Sequence, residues 1–139
     1  MKFSDGLSLE ESPHAAAYKK AAAKKKAQLV RARENVEDFI EYALRHEKTG
    51  KRLVNASFHK EWQQLLRENK RVVLMASVEH AKTNQIGVGK IIHLLGNDPS
   101  LRIAFISNTQ AQATKVLMSV RRNIETNSRI HEVFPNLKP

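Results

Sequence analysis

The sequence contains no cysteine, and aromatic residues make up only 6% of its 139 residues. Without cysteine the chain has no disulfide framework, no thiolate metal site and no cysteine nucleophile. It also lacks an apolar run approaching the roughly 20 residues that a membrane-spanning helix needs, and its first residues, MKFSDGLSLEESP, lack the apolar stretch of a secretory signal. These absences exclude a disulfide-rich secreted domain and predict an intracellular protein that does not enter a membrane.

Acidic residues are outnumbered, since 24 Lys and Arg stand against 14 Asp and Glu and leave a formal charge of +10. Such an excess favours a polyanionic partner, of which nucleic acid is the commonest. The length fits one compact unit, and 41% of the residues are hydrophobic, enough for a modest core. Along the chain we distinguish a basic helical region, residues 1–55, from a second region, residues 56–139.

The basic region has its cations concentrated in one segment, residues 18–34, where alanines of high helix propensity surround them and no acid interrupts them. These cations are Lys19, Lys20, Lys24, Lys25, Lys26, Arg31 and Arg33. The pattern predicts a basic helix with almost no apolar face. Such a helix contacts the phosphates of nucleic acid or merely stands in solvent, and the sequence leaves both possibilities open.

Apolar residues at helical spacing follow this segment and form two stripes. The first consists of Leu29, Val36, Phe39, Ile40, Ala43 and Leu44, and the second of Phe58, Trp62, Leu65 and Leu66. Each stripe predicts an amphipathic helix that packs on a core. The first helix is expected to end near Thr49 and Gly50, and the second to cover about residues 58–68.

Two short, continuous apolar runs mark the second region: RVVLMAS, residues 71–77, and LRIAFIS, residues 101–107. Runs of this kind are typical of buried parallel strands. A helix is predicted over about residues 83–95, and another after the N-cap candidates Ser107, Asn108 and Thr109. The order β-α-β-α predicts an α/β fold, in which N-terminal helices precede the start of a parallel sheet of the P-loop NTPase kind.

The loop after the first predicted strand has the sequence ASVEHAKT. Its spacing matches the phosphate-binding pattern GxxxxGK(S/T), with alanines at the two glycine positions. That chemistry needs backbone N–H groups around a phosphate, an ammonium on the β- and γ-phosphates and a hydroxyl on Mg²⁺. The candidate nucleotide-binding residues are Ala76, Ser77, Val78, Glu79, His80, Ala81, Lys82 and Thr83. A capped helix N-terminus with a solvated lysine would have the same residues, and a lone His80 is more typical of polar surface than of a metal site.

Four segments in order resemble the start of the ATPase domain of the large terminase subunit of tailed bacteriophages, the motor that drives DNA into an empty capsid. They are FHKEWQQLL, RVVLMASVEHAKT, LGNDPSLRIAFISNTQAQATKVL and IETNSRIHEVFPNLKP. The resemblance covers residues 56–139. Within it, SNTQAQA and VFPNLKP are more distinctive than the loop itself.

This resemblance implies ATP and Mg²⁺ as cofactors of a deviant Walker A loop. Lys82 would then be the phosphate lysine and Thr83 the magnesium ligand. Phe58, Trp62 and Gln63 lie where the family reads the adenine base. The two aromatic residues also fit the packed stripe of their helix, and packing is the favoured interpretation for Trp62.

Partners and location are implied by the same resemblance. The parent protein would act on double-stranded DNA, contact the small terminase subunit and the portal, assemble as a homo-oligomeric ring and work in the cytoplasm of the infected bacterial host. The positions Ser107, Asn108 and Thr109 lie where related motors couple nucleotide to DNA, and helix capping explains them equally well.

Neither predicted strand ends in an acid, so the Walker B element that organises Mg²⁺ is missing from the sequence. The sequence therefore predicts an N-terminal piece of the ATPase that stops before Walker B and the nuclease domain and is scarcely active by itself. Two alternatives stay open. One is a basic nucleic-acid-binding module without ATPase activity, and the other is a small P-loop kinase or other NTPase, against which the absent acid argues.

Overall fold

The structure, a computed structural model, describes residues 13–137 and consists of helices joined by turns and extended segments. The N-terminal segment MKFSDGLSLEESP, for which the sequence predicts no secretory signal, lies almost wholly outside these residues. The helices are α1 (Pro13–Glu34), α2 (Val36–Ala43), α3 (Ser57–Glu68), a π-helical segment (Thr83–Lys90), α4 (Ile91–Asn97), α5 (Gln110–Thr126) and α6 (Ser128–Val133). None of these helices has the length and apolarity to cross a membrane.

Helix α1 confirms the predicted basic helix, and most of its residues are exposed. Residues 14–28 are exposed, and the buried surface begins with Leu29 and Ala32 near the C-terminal end. Because the outer part has no apolar face to bury, its helical state rests on the propensity of alanine and lysine. The chain leaves the helix at Asn35, whose φ of −121° and ψ of 124° separate α1 from α2.

The core is centred on α2, whose stripe was predicted from the sequence. Phe39 and Ile40 are fully buried, and the ring of Phe39 lies 5.5 Å from that of Phe134. Around α2 are gathered Val88, Ile92, Val116, Val120, Ile130, Val133 and Leu137 from the later helices and the chain end. The cluster contains residues of both halves of the chain. Burial of each large apolar side chain stabilises the fold by about 1.5–3 kcal/mol, and the two halves therefore stabilise each other.

A charged group on α6 fastens this helix to α1 and α2. The carboxylate of Glu132 accepts a hydrogen bond from the hydroxyl of Tyr42. It also forms an ion pair with the ammonium of Lys25, which lies 3.1 Å away. Burial, together with the bond to Glu132, raises the pKa of Tyr42 to about 12. The bonds from Tyr42 and Lys25 lower the pKa of Glu132, so the carboxylate form is the one that holds the three helices together.

The predicted parallel sheet is wrong. Across residues 13–137 the only β-pairing is an isolated bridge between Arg45 and Arg52, and the two predicted strands are extended segments without a backbone partner. The chain is therefore a helical protein and not an α/β fold of the P-loop kind.

Burial in the two extended segments explains the error. Val72, Leu74 and Ala76 are half-buried, whereas Val73 and Met75 are 90% and 92% exposed, and Ile106 in the second segment is 90% exposed. The first segment thus alternates between half-buried and exposed residues, as an extended backbone does, whereas in the second segment residues 101–104 are exposed and only Phe105 and Ser107 are half-buried. A continuous apolar run predicts an extended conformation, but a sheet also requires a neighbouring strand for its N–H and C=O groups.

The predicted helix after the loop is present, with an unexpected opening. Its first two turns, Thr83–Lys90, are π-helical, and α4 continues directly from them. Gly87 and Gly89 are buried in these turns, where α2 and α5 approach the backbone closely. Short π-helical stretches within helices are frequent at functional sites, which directs attention to the residues just before Thr83.

Candidate functional site

The loop of residues 76–83 connects the first extended segment to the π-helical turns. Two of its residues have left-handed backbone conformations: Glu79 with φ of 68° and Ala81 with φ of 55°. Lys82, the next residue, has φ of −48°. The change in the sign of φ between successive residues is typical of backbone concavities whose N–H groups bind anions. A non-glycine residue pays roughly 1–2 kcal/mol for the left-handed region, so the loop is strained where its curvature is strongest.

The side chain of Lys82 turns back into this loop. Its ammonium donates hydrogen bonds to the carbonyl oxygens of Ala76 and Ser77, the latter at 3.1 Å. Lys82 is partly buried, while Ser77, Val78, Glu79 and His80 are exposed around it. The loop is thus curled around a single positive charge, and the only acid within it is Glu79.

Thr83 begins the helical turns and is exposed. The first backbone bond of these turns runs from the N–H of Gln85 to the carbonyl of Ala81, at 2.9 Å. The N–H groups at a helix start have no carbonyl partner within the helix and carry the positive end of its dipole. One ammonium, one hydroxyl and a set of backbone amides therefore occupy consecutive positions, and these are groups that bind phosphate oxygens.

Helix α3 packs beside the loop with a face that overlaps the predicted stripe: Trp62 is buried, and Phe58 and Leu66 are half-buried. The buried residues are His59, Trp62 and Gln63, whereas Leu65 is 44% exposed. The most buried face is thus rotated towards His59 and Gln63 by less than one residue position from the predicted stripe. The polar residues His59 and Gln63 are buried there and make hydrogen bonds, although Oε1 of Gln63 has no partner among the described residues.

Those partners tie α3 to both ends of the loop region. His59 lies with Nε2 3.1 Å from the carbonyl oxygen of His80, and Gln63 donates from Nε2 to the carbonyl of Gln85 at 3.2 Å. The amide of Gln85 in turn donates to Oδ1 of Asn55 at 2.7 Å. Sequence reasoning missed this set. The i and i+4 spacing of His59 and Gln63 places both on one helix face, but it does not indicate that either residue contacts a backbone carbonyl.

The predicted adenine contacts lie on α3 at different depths. Phe58 is half-buried, and its ring centroid lies 5.4 Å from that of His80 and 5.2 Å from that of Trp62. Trp62 is 9% exposed, and Gln63 is fully buried with its amide on a backbone carbonyl. Of the three side chains, Phe58 is therefore the one with accessible surface beside the loop.

The predicted N-cap residues before α5 lie at the start of that helix. Oγ1 of Thr109 accepts a hydrogen bond from the N–H of Gln112 at 3.3 Å, which is an N-cap interaction. The hydroxyl of Ser107 donates to Oε1 of the same Gln112 at 3.0 Å. Helix capping is thus the interpretation that the contacts of Thr109 support.

Two of the seven predicted DNA-contacting cations of α1 bind groups of α6. Lys25 pairs with Glu132, and the guanidinium of Arg33 donates to the carbonyl of Val133 at 2.6 Å. The remaining predicted contacts, all exposed, are Lys19, Lys20, Lys24, Lys26 and Arg31. Lys24 and Arg31 also line a groove between α1 and α2 together with Asp38, Glu41 and Arg52.

No cluster of three His, Cys, Asp or Glu side chains suited to a metal occurs in residues 13–137. A magnesium ion that accompanies a nucleotide does not need one, because it keeps waters and takes most of its remaining oxygens from phosphates. The exposed hydroxyl of Thr83 fits such a role. The loop region thus places together an ammonium, a hydroxyl and backbone amides, groups that in proteins can bind phosphate oxygens. No family model, curated protein or solved structure matches the chain.

Proposed function

We propose that residues 76–83 bind the triphosphate of ATP together with Mg²⁺, and that the chain belongs to the ATP-hydrolysing part of a large terminase subunit that packages double-stranded DNA. The observation that carries the proposal is the ammonium of Lys82, which lies inside the loop on the carbonyls of Ala76 and Ser77. An amine held at this place can exchange those two oxygens for phosphate oxygens without a large movement of the backbone.

In this proposal each group of the loop has one role. Lys82 contacts the β- and γ-phosphates, and the backbone amides from Ala81 onwards contact phosphate oxygens at the positive end of the helix dipole. The hydroxyl of Thr83 holds Mg²⁺, which neutralises charge on the phosphates when bound. The half-buried ring of Phe58, which lies beside His80, contacts the base. The coupling of ATP hydrolysis to DNA packaging is proposed from the resemblance in residues 56–139 to the large terminase subunit.

Titration calorimetry with ATP and Mg²⁺ tests this assignment. Lys82→Ala is expected to weaken ATP binding at least about tenfold, because a charge-assisted bond to a phosphate contributes about 1.5–3 kcal/mol. Lys60→Ala is the matched control, since Lys60 is an exposed lysine on neighbouring α3 and its loss changes the net charge equally. Equal affinities of the two variants would show that the loop does not bind the phosphates.

A second variant isolates the metal. Thr83→Val keeps the shape of the side chain and removes its hydroxyl, so it should weaken the binding of ATP in Mg²⁺ and leave the weaker binding of ATP in EDTA unchanged. In the full motor, Lys82→Ala should abolish ATP-driven DNA packaging. Packaging that persists in this variant would contradict the role given to Lys82.

The structure also favours a direct contribution of α1 to nucleic-acid binding. Residues 14–28 are exposed and have no apolar face, and Lys20 and Lys24 lie about 6 Å apart along the helix axis. A row of exposed cations on a helix fits the phosphates of duplex DNA without reading its sequence. This contact serves the proposed motor and is also compatible with a basic nucleic-acid-binding module that lacks ATPase activity.

A further inference from the structure

A histidine outside the loop controls the direction of one loop peptide. His59 is buried in the first turn of α3, with Nδ1 3.1 Å from the backbone nitrogen of Ala56 and Nε2 3.1 Å from the carbonyl oxygen of His80. Because Nδ1 accepts a hydrogen bond from a backbone N–H, the proton of the neutral ring lies on Nε2. His59 therefore donates from Nε2 to the carbonyl of His80.

That carbonyl belongs to the peptide between His80 and Ala81, the second of the two left-handed residues in the loop. A trans peptide is planar, and its C=O and N–H point in opposite directions. When His59 draws the carbonyl towards α3, the N–H of Ala81 must point away from α3. The bond thus fixes one of the amides that the proposed site uses for phosphate.

The support behind His59 is rigid. The rings of Phe58 and Trp62 lie 4.2 and 5.2 Å from the ring of His59, and Gln63 bonds one turn further along α3 to Gln85 in the π-helical turns. The loop itself adds a second bond, since Nδ1 of His80 lies 3.1 Å from the carbonyl of Val78 across the strained Glu79. His59 consequently joins this strained loop to a packed helix by a hydrogen bond, next to the contact between the rings of Phe58 and His80.

We propose that His59 is a positioning residue for the 76–83 loop, whose bond to the His80 carbonyl holds the Ala81 amide in the direction that triphosphate binding requires. The inference rests on the proposed function of the loop. His59 does not touch the nucleotide in this arrangement, and its effect passes through the backbone. Two substitutions separate this role from the role of His59 in α3.

His59→Asn keeps an acceptor for the N–H of Ala56 but is too short to reach His80, whereas His59→Gln places an amide nitrogen near the position of Nε2. With one hydrogen bond contributing about 1 kcal/mol, His59→Asn should weaken ATP binding about fivefold. His59→Gln should restore affinity to within about twofold of the wild type. Calorimetry with ATP and Mg²⁺ gives the affinities, and circular dichroism establishes that both variants are folded.

Hydrogen exchange without nucleotide provides the independent measurement. The amides of residues 79–82 should exchange faster in His59→Asn than in the wild type and in His59→Gln, while those of α5 stay unchanged. Equal affinity of His59→Asn and wild type, or equal losses in both folded variants, would overturn the proposal. A wild-type protein that does not bind ATP overturns the function of the loop, and the exchange rates then still decide whether His59 holds it.

Discussion

Gly89 lies directly against Ile40, where the π-helical turns cross the central core helix. A Cβ atom on Gly89 would lie 2.6 Å from Cγ1 and 2.7 Å from Cδ1 of Ile40, and 3.0 Å from the carbonyl oxygen of Asn84. These distances are shorter than van der Waals contact. The π-helical turns that start at the candidate site therefore pack on the core through the backbone of Gly89. The position of the candidate site consequently depends on the position of the core helix α2.

Gly89→Ala is expected to destabilise the protein by about 2 kcal/mol, because the added methyl group forces Ile40 or the π-helical backbone to move. Urea unfolding measures the change. Gly87→Ala is the matched control, since it lies two residues earlier in the same turns and its Cβ would meet nothing closer than 3.3 Å. Equal stabilities of the two variants would contradict the close approach of Gly89 to Ile40.

Ala81→Gly is expected to stabilise the protein by about 0.5–1 kcal/mol. Glycine avoids the cost of the left-handed backbone at this position, which exceeds the extra entropy that it brings to the unfolded chain. Ala76→Gly, the other position at which the phosphate-binding pattern has glycine, should instead destabilise by about 0.5–1 kcal/mol, because Ala76 has no positive φ. Thermal unfolding compares the variants, and a stabilisation in both would refute the assigned backbone conformations.

Stability should fall as the pH is lowered below about 6.5, the pKa of an unperturbed histidine. Burial lowers the pKa of His93, whose Nε2 lies 3.0 Å from the carbonyl oxygen of Arg33. The unfolded chain therefore binds a proton at a higher pH than the folded one, which costs at most about 1.4 kcal/mol per pH unit for this single group. His93→Gln, which retains a donor for the carbonyl, should flatten the dependence between pH 7 and the folded pKa. An unchanged slope in urea titrations would contradict this assignment.

Binding of duplex DNA through α1 should depend steeply on salt. If the helix contacts about four phosphates, the logarithm of the binding constant falls with the logarithm of salt concentration with a slope of about −4. Lys20→Ala combined with Lys24→Ala should reduce the slope by about 2. The control is Lys48→Ala with Lys51→Ala, which removes the same charge from the turn after α2. Fluorescence anisotropy provides the measurement, and equal slopes of the two double variants would exclude α1 as the contact.

Most of the helices could be predicted from the sequence, whereas the end of α2 at Ala43, the short helix α6 and the absence of a sheet could not. Apolar residues at helical spacing, such as Phe39 and Ile40, predict the face of a helix that packs on the core. Thr109 predicts the start of a helix because its side chain can cap the first turn. Val73 and Met75 report only that the backbone is extended, because pairing depends on what other segment lies beside them. Whether an extended segment pairs into a sheet depends on its tertiary surroundings, and the spacing of apolar residues does not encode these.

The position of the candidate loop followed from the spacing of Lys82 and Thr83, and the left-handed backbone of Ala81 coincides with a glycine position of the pattern. The spacing contained no information about His59, since its partner, the carbonyl of His80, is a backbone group that every residue possesses. Contacts between a side chain and a distant backbone leave almost no mark on sequence pattern. The burial of Gln63 was hidden for the same reason.

The ammonium of Lys82 already has two oxygen partners of its own chain. Any incoming anion must compete with them, and a small one such as chloride or a single phosphate recovers little of what it displaces. If the loop has the proposed function, a chain of linked phosphates would replace both partners at once and would also reach the helix amides. The internal carbonyls would then discriminate against abundant simple salts.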